Sequence, residues 1–574
     1  MFVSDYEKFD FIIIGAGTSG CVVANRLSEN KNWTVLLVEA GDNPPTEALI
    51  PGLDRSMFGT KYDWQYLTSN DGRSNQAHVN GSIIWPRGKM LGGSSNLNGM
   101  LYVKGSSYDY KKWYDAGNRD WHPDIVKKYF NKAESYQNQK LLKNAGISDQ
   151  YGHSGPLPIN TFNSTYREIT ESVIDSWDEI GIKRVDDLNT ANVLGSGICT
   201  VTAANGIRQS SVAAYINPVQ DRPNLKILKN TLCTKVLIDA GTKKAIGVKV
   251  KRNGQTMTFI ARLEVILSAG AVNSPQLLML SGVGPKKHLE SKNITCKVDV
   301  PMVGQNLQDH VIIPVTIYGH GPTQPDTATT NFDAIRYLFN RTGYLAQNSF
   351  SDILAFYSTA KNASYPEFQS HLSIFWKNFT KTRNAFSNQF RYNATIADYV
   401  VKLNKKYIMY DFLFNLLHPY STGHIYLNSN DPNDHPLIYP NYFKDPRDLD
   451  AAAAGIRALT KIVGTKFFKS IGAFVGRMKW PPCDKLELDS TEYWKCVCLN
   501  MPLTCYHPVG TCKMGPDWKT SVVDSELRVH AVQNIRVIDA SIMPTITSGN
   551  TNGPATMIGE RGADLVKRTY SNVK

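Results

Sequence analysis

A glycine-rich motif near the start of the chain has the residue types and spacing that hold a dinucleotide. An apolar run at residues 9–14 leads into Gly15-x-Gly17-x-x-Gly20, and Glu39 closes a second apolar run nineteen residues after the last glycine. In a strand–turn–helix, such glycines permit a tight turn, approach of the backbone to a pyrophosphate and close helix packing, while the acid accepts hydrogen bonds from the adenosine ribose. The motif predicts that the ADP half of a dinucleotide is bound by Gly15, Gly17, Thr18, Ser19, Gly20, Glu39 and Ala40.

A second loop, at residues 87–100, concentrates glycine, hydroxyl and amide side chains. Such a loop can direct several backbone N–H groups toward a large polar ligand, although an ordinary surface loop can have the same composition. The sequence holds no second GxGxxG motif, which disfavours a flavin enzyme reduced by a bound pyridine nucleotide. Two classes remain: a nicotinamide enzyme, and a flavin enzyme that takes its electrons from its own substrate.

Four long motifs, in the order found here, resemble the glucose-methanol-choline (GMC) family of FAD-dependent alcohol oxidoreductases, and its insect branch in particular. They lie at residues 87–100, 270–284, 506–515 and 548–552, and the resemblance extends over almost the whole chain. It implies an α/β fold in which a doubly wound FAD-binding domain with a parallel sheet is interleaved with an α+β substrate domain built on an antiparallel sheet. It also implies FAD as the cofactor.

The resemblance makes His507 the catalytic base and Asn550 its partner. Oxidation of an alcohol removes the hydroxyl proton while a hydride leaves the adjacent carbon, and a neutral imidazole, with an unperturbed pKa of about 6.5, suits the proton removal. Asn550 can hydrogen-bond the developing alkoxide without competing for the proton. The alternatives are a structural role for the histidine and helix N-capping for the asparagine.

Further cofactor contacts carry over from the family by position. Val236 is expected to meet the adenine through its backbone, and Asp539 with Ala540 to lie at the pyrophosphate or ribityl chain. Some relatives bind the flavin covalently through a histidine of the loop at 87–100; Leu97 stands at that place here, so FAD is expected to be non-covalent. No metal site is expected. The remaining predicted contacts are Gly93, Asn96, Leu97, Asn98, Gly99 and Thr551.

Two positions depart from the family pattern. Asp352 stands where relatives often carry a longer acid, and a surface or helix-capping aspartate is the alternative reading of this residue. Residues 498–504, just before the predicted base, lack the basic residue and have fewer threonines than is usual in the insect branch. Because that segment is expected to line the mouth of the pocket, the substrate cannot be transferred by analogy.

The patterns along the chain also predict its organisation. Alternating runs on both sides of Asn253-Gly254 predict a hairpin whose second strand covers residues 256–261, and the apolar run at 265–270 predicts a separate, buried parallel strand. With the resemblance, the FAD-binding domain is expected at residues 1–158, 224–310 and 505–574, with a loop over the cofactor near 80–105, and the substrate domain at 159–223 and 311–504.

Composition restricts the possible partners. The chain of 574 residues exceeds the size of a single hydrophobic core. Its formal net charge is +13, but the basic residues are scattered and are not interleaved with aromatic residues. The charge therefore indicates weak attraction to acidic surfaces at most, and nucleic acid is not an expected partner. No apolar stretch of the sequence is long enough to span a bilayer.

Cysteine usage favours secretion. Five of the nine cysteines lie between residues 483 and 512 without the spacing of a zinc site, which predicts disulfides and an oxidising compartment, with buried free thiols as the alternative. The sequence starts without a signal peptide, which is expected to have been removed; an intracellular protein is the alternative. Sequons suit a glycosylated protein and occur at Asn32, Asn80, Asn163, Asn293, Asn340, Asn362, Asn378 and Asn393.

The expected activity is oxidation of a primary alcohol to an aldehyde, with electrons passed to oxygen to give hydrogen peroxide. The aromatic-rich middle of the chain favours a small aryl or allylic alcohol over a sugar, because a sugar site needs many polar groups. A glucose-dehydrogenase-like enzyme that reduces a quinone and a steroid alcohol oxidase of the ecdysone type are the alternatives. A secreted protein that binds FAD without catalysis is a third. The sequence does not indicate the oligomeric state.

Overall fold

Two seven-stranded sheets organise the computed structural model, which describes residues 4–190, 193–324 and 327–571. The first, sheet I, follows the strand order Leu225–Leu228, Val35–Val38, Glu7–Ile14, Gln255–Leu267, Ala245–Arg252 and Thr231–Ile238, with Ile535–Val537 paired to Gln255–Leu267. The second, sheet II, follows the order Phe474–Val475, Val311–Gly319, Ile408–Leu416, Phe368–Phe375, Ile353–Tyr357 and Gly195–Ile198, with Leu503–Thr504 paired to Val311–Gly319.

Sheet I has a parallel half and an antiparallel half. Glu7–Ile14 pairs in parallel with Val35–Val38 and with Gln255–Leu267. Every residue of Val35–Val38 is buried, as expected of a parallel strand that is covered on both faces. The hairpin predicted around Asn253-Gly254 is confirmed, because Ala245–Arg252 pairs antiparallel with Gln255–Leu267.

The prediction of two separate strands at residues 256–261 and 265–270 is wrong, because Gln255–Leu267 is one continuous strand. Its first half pairs with the hairpin and its second half with Ile535–Val537. The polar residues in the middle interrupt the apolar pattern without interrupting the strand. One of them, Glu264, is buried and accepts a hydrogen bond of 2.9 Å from Nε of the buried Arg536. At this position of the strand, an ion pair with a segment distant in the sequence takes the place of apolar packing.

Sheet II is antiparallel throughout its pairings. One face is covered by helices, where Trp177 and Phe468 both contact Phe412. Side chains alternate along a strand, so Leu413 and the other odd-numbered residues of Ile408–Leu416 lie on the opposite face, which is turned toward sheet I and lines a cavity there. The two sheets together confirm the predicted fold class; the domain boundaries stay a prediction.

The α-helices and the smaller sheets complete the described part of the chain. The helices are Thr18–Leu27, Ser107–Asp115, Pro123–Ala133, Ala145–Ser148, Arg167–Glu179, Gly270–Leu280, Lys286–Ser291, Thr327–Asn340, Thr382–Asn384, Ala394–Asn404, Pro446–Thr460, Lys466–Ser470, Pro481–Asp484, Thr491–Asn500 and Asn552–Thr569. Two-stranded sheets pair Tyr66–Leu67 with Ile84–Trp85, Glu134–Tyr136 with Leu157–Ile159, Ala203–Ala204 with Ile207–Arg208, Val283–Gly284 with Val298–Asp299, and His424–Tyr426 with Leu437–Tyr439.

The cysteine cluster contains one disulfide, between Cys483 and Cys496, which confirms that some of these cysteines are paired. It joins the helices Pro481–Asp484 and Thr491–Asn500. The other three members of the cluster are buried free thiols: Cys498, Cys505 and Cys512. Among the described residues, no helix is both long and apolar enough to cross a membrane.

Sheet II contains a buried carboxyl group that has no hydrogen-bond partner. Asp411 is fully buried in the strand Ile408–Leu416, and neither of its oxygens is hydrogen-bonded within the described residues. Burial raises the pKa of Asp411 to about 7, against a smaller opposing effect of the Arg55 charge. The folded protein therefore keeps a proton on Asp411 up to about pH 7, whereas the unfolded chain releases it near pH 4.

We expect Asp411→Asn to change how stability depends on pH. The folded-state pKa is raised, so the wild type loses stability as pH rises from about 4 to 7, by about 4 kcal/mol for three pKa units. Asparagine does not ionise, so the stability of the variant relative to the wild type is expected to increase as the pH rises from about 4 to 7. Chemical denaturation at pH 4, 6 and 8 measures the difference. Asp175→Asn, at an exposed site, is the control; an equal pH slope in Asp411→Asn and wild type would contradict the assignment.

Candidate active site

A long cavity between sheet I and sheet II brings together most of the residues predicted from the sequence. Its lining includes the following predicted residues: Gly15, Gly17, Thr18, Ser19, Glu39, Ala40, Gly93, Leu97, Asn98, Gly99, His507, Asp539, Ala540, Asn550 and Thr551. Gly20, Asn96 and Val236 do not line it. The cavity therefore runs from the glycine motif of the first strand–helix unit to the predicted base, which is nearly five hundred residues later in the sequence.

The three motif glycines meet different surroundings. Gly15 has a φ of +94°, and a Cβ there would lie 2.5 Å from the Ser268 carbonyl oxygen. A Cβ on Gly20 would lie 1.9 Å from the carbonyl oxygen of Gly15. By contrast, a Cβ on Gly17 would have no protein atom nearer than 3.9 Å. The fold itself requires the first and third glycines, whereas Gly17 faces open space in the cavity.

The N-terminus of the helix Thr18–Leu27 offers unpaired backbone N–H groups to the open space beside Gly17. Gly17 is its N-cap and no side chain caps it. Within the described residues, the backbone N–H groups of Gly17 and Thr18 donate to no protein acceptor. Such donors, together with the helix dipole, favour an anion. An FAD pyrophosphate fits this cradle, since the group is anionic and Gly17 leaves room for it.

Glu39 is held at the cavity wall beside this helix. Its carboxylate accepts hydrogen bonds of 2.9 Å from the N–H groups of Ala16 and Gly41. Burial raises the pKa of Glu39 to about 7, and these backbone donors oppose the rise. The carboxyl group is thereby fixed at the end of the strand Val35–Val38, where a ribose would approach.

The loop at residues 87–100 contacts the first glycine motif directly. A Cβ on Gly93 would lie 2.7 Å from Cα of Gly17, so the two loops meet backbone to backbone. The buried Arg208 stabilises the loop, because its Nη1 donates to the carbonyl oxygens of Ser95 and Asn98 at 3.1 and 2.7 Å. Asn96 turns inward and donates to the Leu91 carbonyl oxygen, which explains why it does not line the cavity.

The end of the cavity beside Glu39 differs from the expectation for one residue. Val236 is fully buried, and its N–H donates to Oγ of Ser281 at 2.8 Å. The lining at this end comes instead from the start of the same strand, with Thr231, Leu232 and Cys233. At the opposite side, Asp539 lines the cavity while its carboxylate accepts from the Gly270 N–H and the Ser274 hydroxyl.

His507 belongs to a hydrogen-bond chain that fixes its tautomer. His310 Nε2 lies 3.2 Å from the carbonyl oxygen of Leu417, and because a carbonyl oxygen only accepts, this nitrogen carries a proton. Burial lowers the pKa of His310 to about 3, so the ring is neutral and its Nδ1 is an acceptor. His507 Nδ1, 2.9 Å away, must donate to it. His507 therefore presents an unprotonated Nε2 at the cavity.

Asn550 faces His507 Nε2 and is oriented by side chains of sheet II. Its Oδ1 accepts a hydrogen bond of 3.2 Å from Gln369 Nε2, which leaves the amide Nδ2 directed at His507 Nε2, 3.4 Å away. Gln369 is in turn oriented by Asn415 and His371, which lie 3.1 Å from its Oε1. The helix Asn552–Thr569 has Thr551, not Asn550, as its N-cap. The N-capping alternative for Asn550 is therefore excluded.

The surroundings keep His507 neutral. Burial lowers the pKa of His507 well below its ordinary value, and the neighbouring His310, His371 and Arg87 act in the same direction. The backbone is also held, because the His507 N–H donates to the buried Asp309 at 2.9 Å. An imidazole of this kind accepts a proton through Nε2 without first having to lose one.

The cavity around the histidine is mostly apolar. Sheet II and the segments that cover it supply Phe58, Leu101, Ile312, Phe350, Leu413 and Tyr506 to the lining. The charged and titratable side chains of the lining near His507 include Arg55, Arg87 and His371, and burial lowers the pKa of His371 to about 4. A substrate here meets many carbon atoms and few polar groups, as in most small-molecule sites.

Asp352 lies outside this lining. It is buried and pairs with Arg167, whose Nη2 is 2.9 Å from Oδ2. The residue is therefore neither a surface aspartate nor a helix cap; it anchors the start of the strand Ile353–Tyr357.

The residues that orient the predicted pair and hold the loop at 87–100 were not predicted from the sequence. His310, Gln369 and Arg208 each act through a partner that is more than a hundred positions away. Their pairing depends on the register of sheet II and on the packing of the loop at 87–100, which local patterns do not encode. The polar run at 305–310, directly before an apolar strand, is the one local signal that points toward His310.

Comparison with known proteins gives consistent matches over the whole chain. The family model "GMC oxidoreductase" matches in two parts, at residues 9–312 and 419–559. The ecdysone oxidase of Bombyx mori is 37% identical over 98% of this chain and 82% of its own length. The glucose dehydrogenase [FAD, quinone] of Drosophila pseudoobscura pseudoobscura is 37% identical over 99% of this chain and 88% of its own length.

Solved structures show the same architecture. A formate oxidase of Aspergillus oryzae is 26% identical, with a TM-score of 0.86 and full coverage of both chains. A pyridoxine 4-oxidase is 27% identical, with a TM-score of 0.81 over 99% of this chain and 100% of its own.

Proposed function

Because the chain belongs to the GMC oxidoreductase family, we propose that it oxidises an apolar primary alcohol to an aldehyde, with His507 as the base. Membership establishes an FAD-dependent oxidoreductase that acts on CH–OH donors. The observation that carries the finer proposal is the directed hydrogen-bond chain, which leaves an unprotonated His507 Nε2 facing Asn550 Nδ2 in a mostly apolar cavity.

The chain's own residues support the following roles. The substrate hydroxyl lies between His507 Nε2 and Asn550 Nδ2, so the imidazole accepts the hydroxyl proton while the amide N–H donates to the developing alkoxide. His507 Nδ1 already donates to His310, and this hydrogen bond strengthens when the imidazole becomes positively charged. FAD, when bound, supplies the acceptor for the hydride that leaves the carbon.

The cofactor part of the proposal rests on the cavity lining. The cavity-lining residues of the two glycine loops, together with Glu39, Asp539, Ala540 and Thr551, are assigned as FAD contacts. Leu97 lines the cavity with an aliphatic side chain, which offers no nucleophile for a bond to the flavin, so FAD is proposed to be non-covalent. The disulfide and the sequons support secretion.

An anaerobic panel of alcohols on the purified holoenzyme tests the substrate class. Aryl and allylic primary alcohols are expected to bleach the flavin faster than glucose, because the wall opposite the base is apolar. Glucose as the fastest donor would overturn the substrate class. Bleaching by none of the alcohols, with FAD still bound, would favour a protein that binds FAD without catalysis.

The electron acceptor is tested on the same reduced enzyme. Oxygen is the proposed acceptor, with a quinone as the alternative. Reoxidation rates in air and with an anaerobic quinone dye are compared at equal acceptor concentrations. Faster reoxidation in air, with formation of hydrogen peroxide, is the expected result; reoxidation by the quinone alone would assign the enzyme as a dehydrogenase.

A further inference from the structure

The helix Thr327–Asn340 exposes four large apolar side chains and buries its one acidic side chain. Phe332, Ile335, Leu338 and Phe339 are 63%, 50%, 69% and 83% exposed. Asp333, by contrast, is buried on the inner side and accepts a hydrogen bond from the Tyr344 N–H. In a surface helix of a globular protein, large apolar side chains usually face the core, as the buried Tyr337 does here.

The four exposed side chains form one continuous surface, which we call the apolar arc. At 100° per residue they fall within roughly 120° of the helix circumference. Most other exposed large apolar side chains of the described residues are isolated from one another along the chain, as with Tyr420 and Trp518. Isolated residues of this kind are ordinary, whereas a contiguous exposed patch marks an interaction surface.

The exposed charged residues at the C-terminal end of the apolar arc are arginines. Arg336 lies on the helix, where its Nη1 is 3.9 Å from Oδ1 of Asp333, and Arg341 directly follows the helix; both arginines are exposed. The acid Asp326 directly precedes the helix in the sequence. Asp333 is the one acidic residue in the sequence of the helix, and it is buried. At the other end, Lys377 donates its backbone N–H to the carbonyl oxygen of Pro322, just before the helix. The protein as a whole has a net charge of +13.

The helix also adjoins the wall of the active-site cavity. The turn after it packs on residues 51–53, since a Cβ on Gly52 would lie 2.8 Å from Cα of Leu345. Further along, Asn348 donates to the Gly99 carbonyl oxygen, and Phe350 lines the cavity. Nine residues therefore separate the last residue of the helix, Asn340, from Phe350 in the cavity wall.

We propose that the apolar arc docks the protein on an anionic phospholipid surface, with the helix lying in the interface. Interfacial helices combine an apolar face with flanking Lys or Arg and bind through both buried apolar area and attraction to anionic lipids. A second copy fits less well, because a two-fold interface sets the same patch against itself and would bring the arginines of both copies together. The docked position places the wall of the cavity next to the lipid.

The sequon at Asn340 is compatible with this orientation. Asn340 is the final residue of the helix, and it points roughly 140° around the helix from the centre of the apolar arc at 100° per residue. A glycan at this position would extend from the far side of the helix end and not from the face that meets the lipid.

Vesicle co-sedimentation of the FAD-loaded protein tests the proposal. The probes are vesicles of phosphatidylcholine alone and vesicles that also contain phosphatidylserine. We expect the wild type to bind the second kind more strongly at low salt. The double variant Phe332→Ser/Phe339→Ser is expected to bind at least about tenfold less, because two exposed aromatic rings are lost from the arc.

The controls separate lipid docking from general effects of substitution. Tyr420→Ser/Trp518→Ser removes two exposed aromatic side chains elsewhere and is expected to bind like the wild type. Arg336→Gln/Arg341→Gln is expected to reduce the preference for phosphatidylserine. The flavin spectrum and the thermal midpoint verify that each variant is folded, which is expected because the replaced side chains are exposed.

Four results would overturn the proposal. They are no binding of the wild type to either vesicle, equal binding to both kinds, wild-type binding by the Phe332→Ser/Phe339→Ser variant, and a wild-type dimer in light scattering that this variant abolishes in the absence of vesicle binding. The last result would assign the apolar arc to a second copy of the chain.

Discussion

His507→Ala is expected to slow bleaching of the flavin by an alcohol about 10²–10⁴-fold, which is the contribution of a positioned general base. The variant should still bind FAD, because His507 contacts its partners through its ring nitrogens and its backbone N–H to Asp309 is retained by alanine. Anaerobic stopped-flow measurement of the bleaching rate, with the flavin spectrum as the measure of cofactor content, provides the comparison.

Two further measurements show whether the lost group was the base. Added imidazole is expected to restore part of the rate in His507→Ala, which it would not do after a merely structural loss. In the wild type, the lowered pKa of His507 keeps Nε2 unprotonated, so the rate should stay constant from pH 8 down past 6.5 and fall only at lower pH. His153→Ala, at an exposed histidine, is the control. Bleaching of His507→Ala at the wild-type rate would refute the assignment.

Gly17→Val is expected to weaken FAD binding strongly while leaving the apoprotein folded. The nearest protein atom to a Cβ at Gly17 is 3.9 Å away, so the protein has room for a side chain there. The side chain would instead occupy the space beside the unpaired N–H groups of the helix Thr18–Leu27, where the pyrophosphate is expected. Overpacking of about 3 kcal/mol corresponds to roughly a hundredfold weaker binding.

Titration of apoprotein with FAD, followed by flavin fluorescence, measures this affinity. Gly464→Val is the matched control, because a Cβ there also meets no atom within 4 Å but lies outside the cavity lining. Gly20→Ala should behave differently and destabilise the apoprotein, since its Cβ would lie 1.9 Å from the Gly15 carbonyl oxygen. Unchanged FAD affinity in Gly17→Val would show that the pyrophosphate lies elsewhere.

The sequence predicted the parts of the fold that depend on local spacing. The glycine motif and Glu39 could be read directly, because turn, helix start and strand end follow one another within one strand–helix–strand unit. The hairpin at Asn253-Gly254 was equally local. The base and its partner came from the family resemblance; the structure brings His507 and Asn550 within 3.4 Å of each other, and their catalytic roles stay a proposal.

The features that could not be predicted depend on long-range pairing. The apolar pattern suggested a break within Gln255–Leu267, but the ion pair of Glu264 with Arg536 keeps that strand continuous. The tautomer of His507 depends on His310 and on the carbonyl of Leu417, which sheet II places together. The helix Thr327–Asn340 also has the composition of an ordinary amphipathic helix, and its packing shows which apolar side chains are exposed.

The packing of the first helix against a late one has a consequence for biosynthesis. Ser19 donates its hydroxyl to the carbonyl oxygen of Ala555, and Arg26 forms an ion pair of 2.7 Å with Glu560. The strand Ile535–Val537 also completes sheet I. During translation, the nucleotide motif therefore emerges more than five hundred residues before the elements that support it. Non-local contacts of this kind form late in folding, so we expect the glycine motif to reach its folded position only after nearly the whole chain has been made.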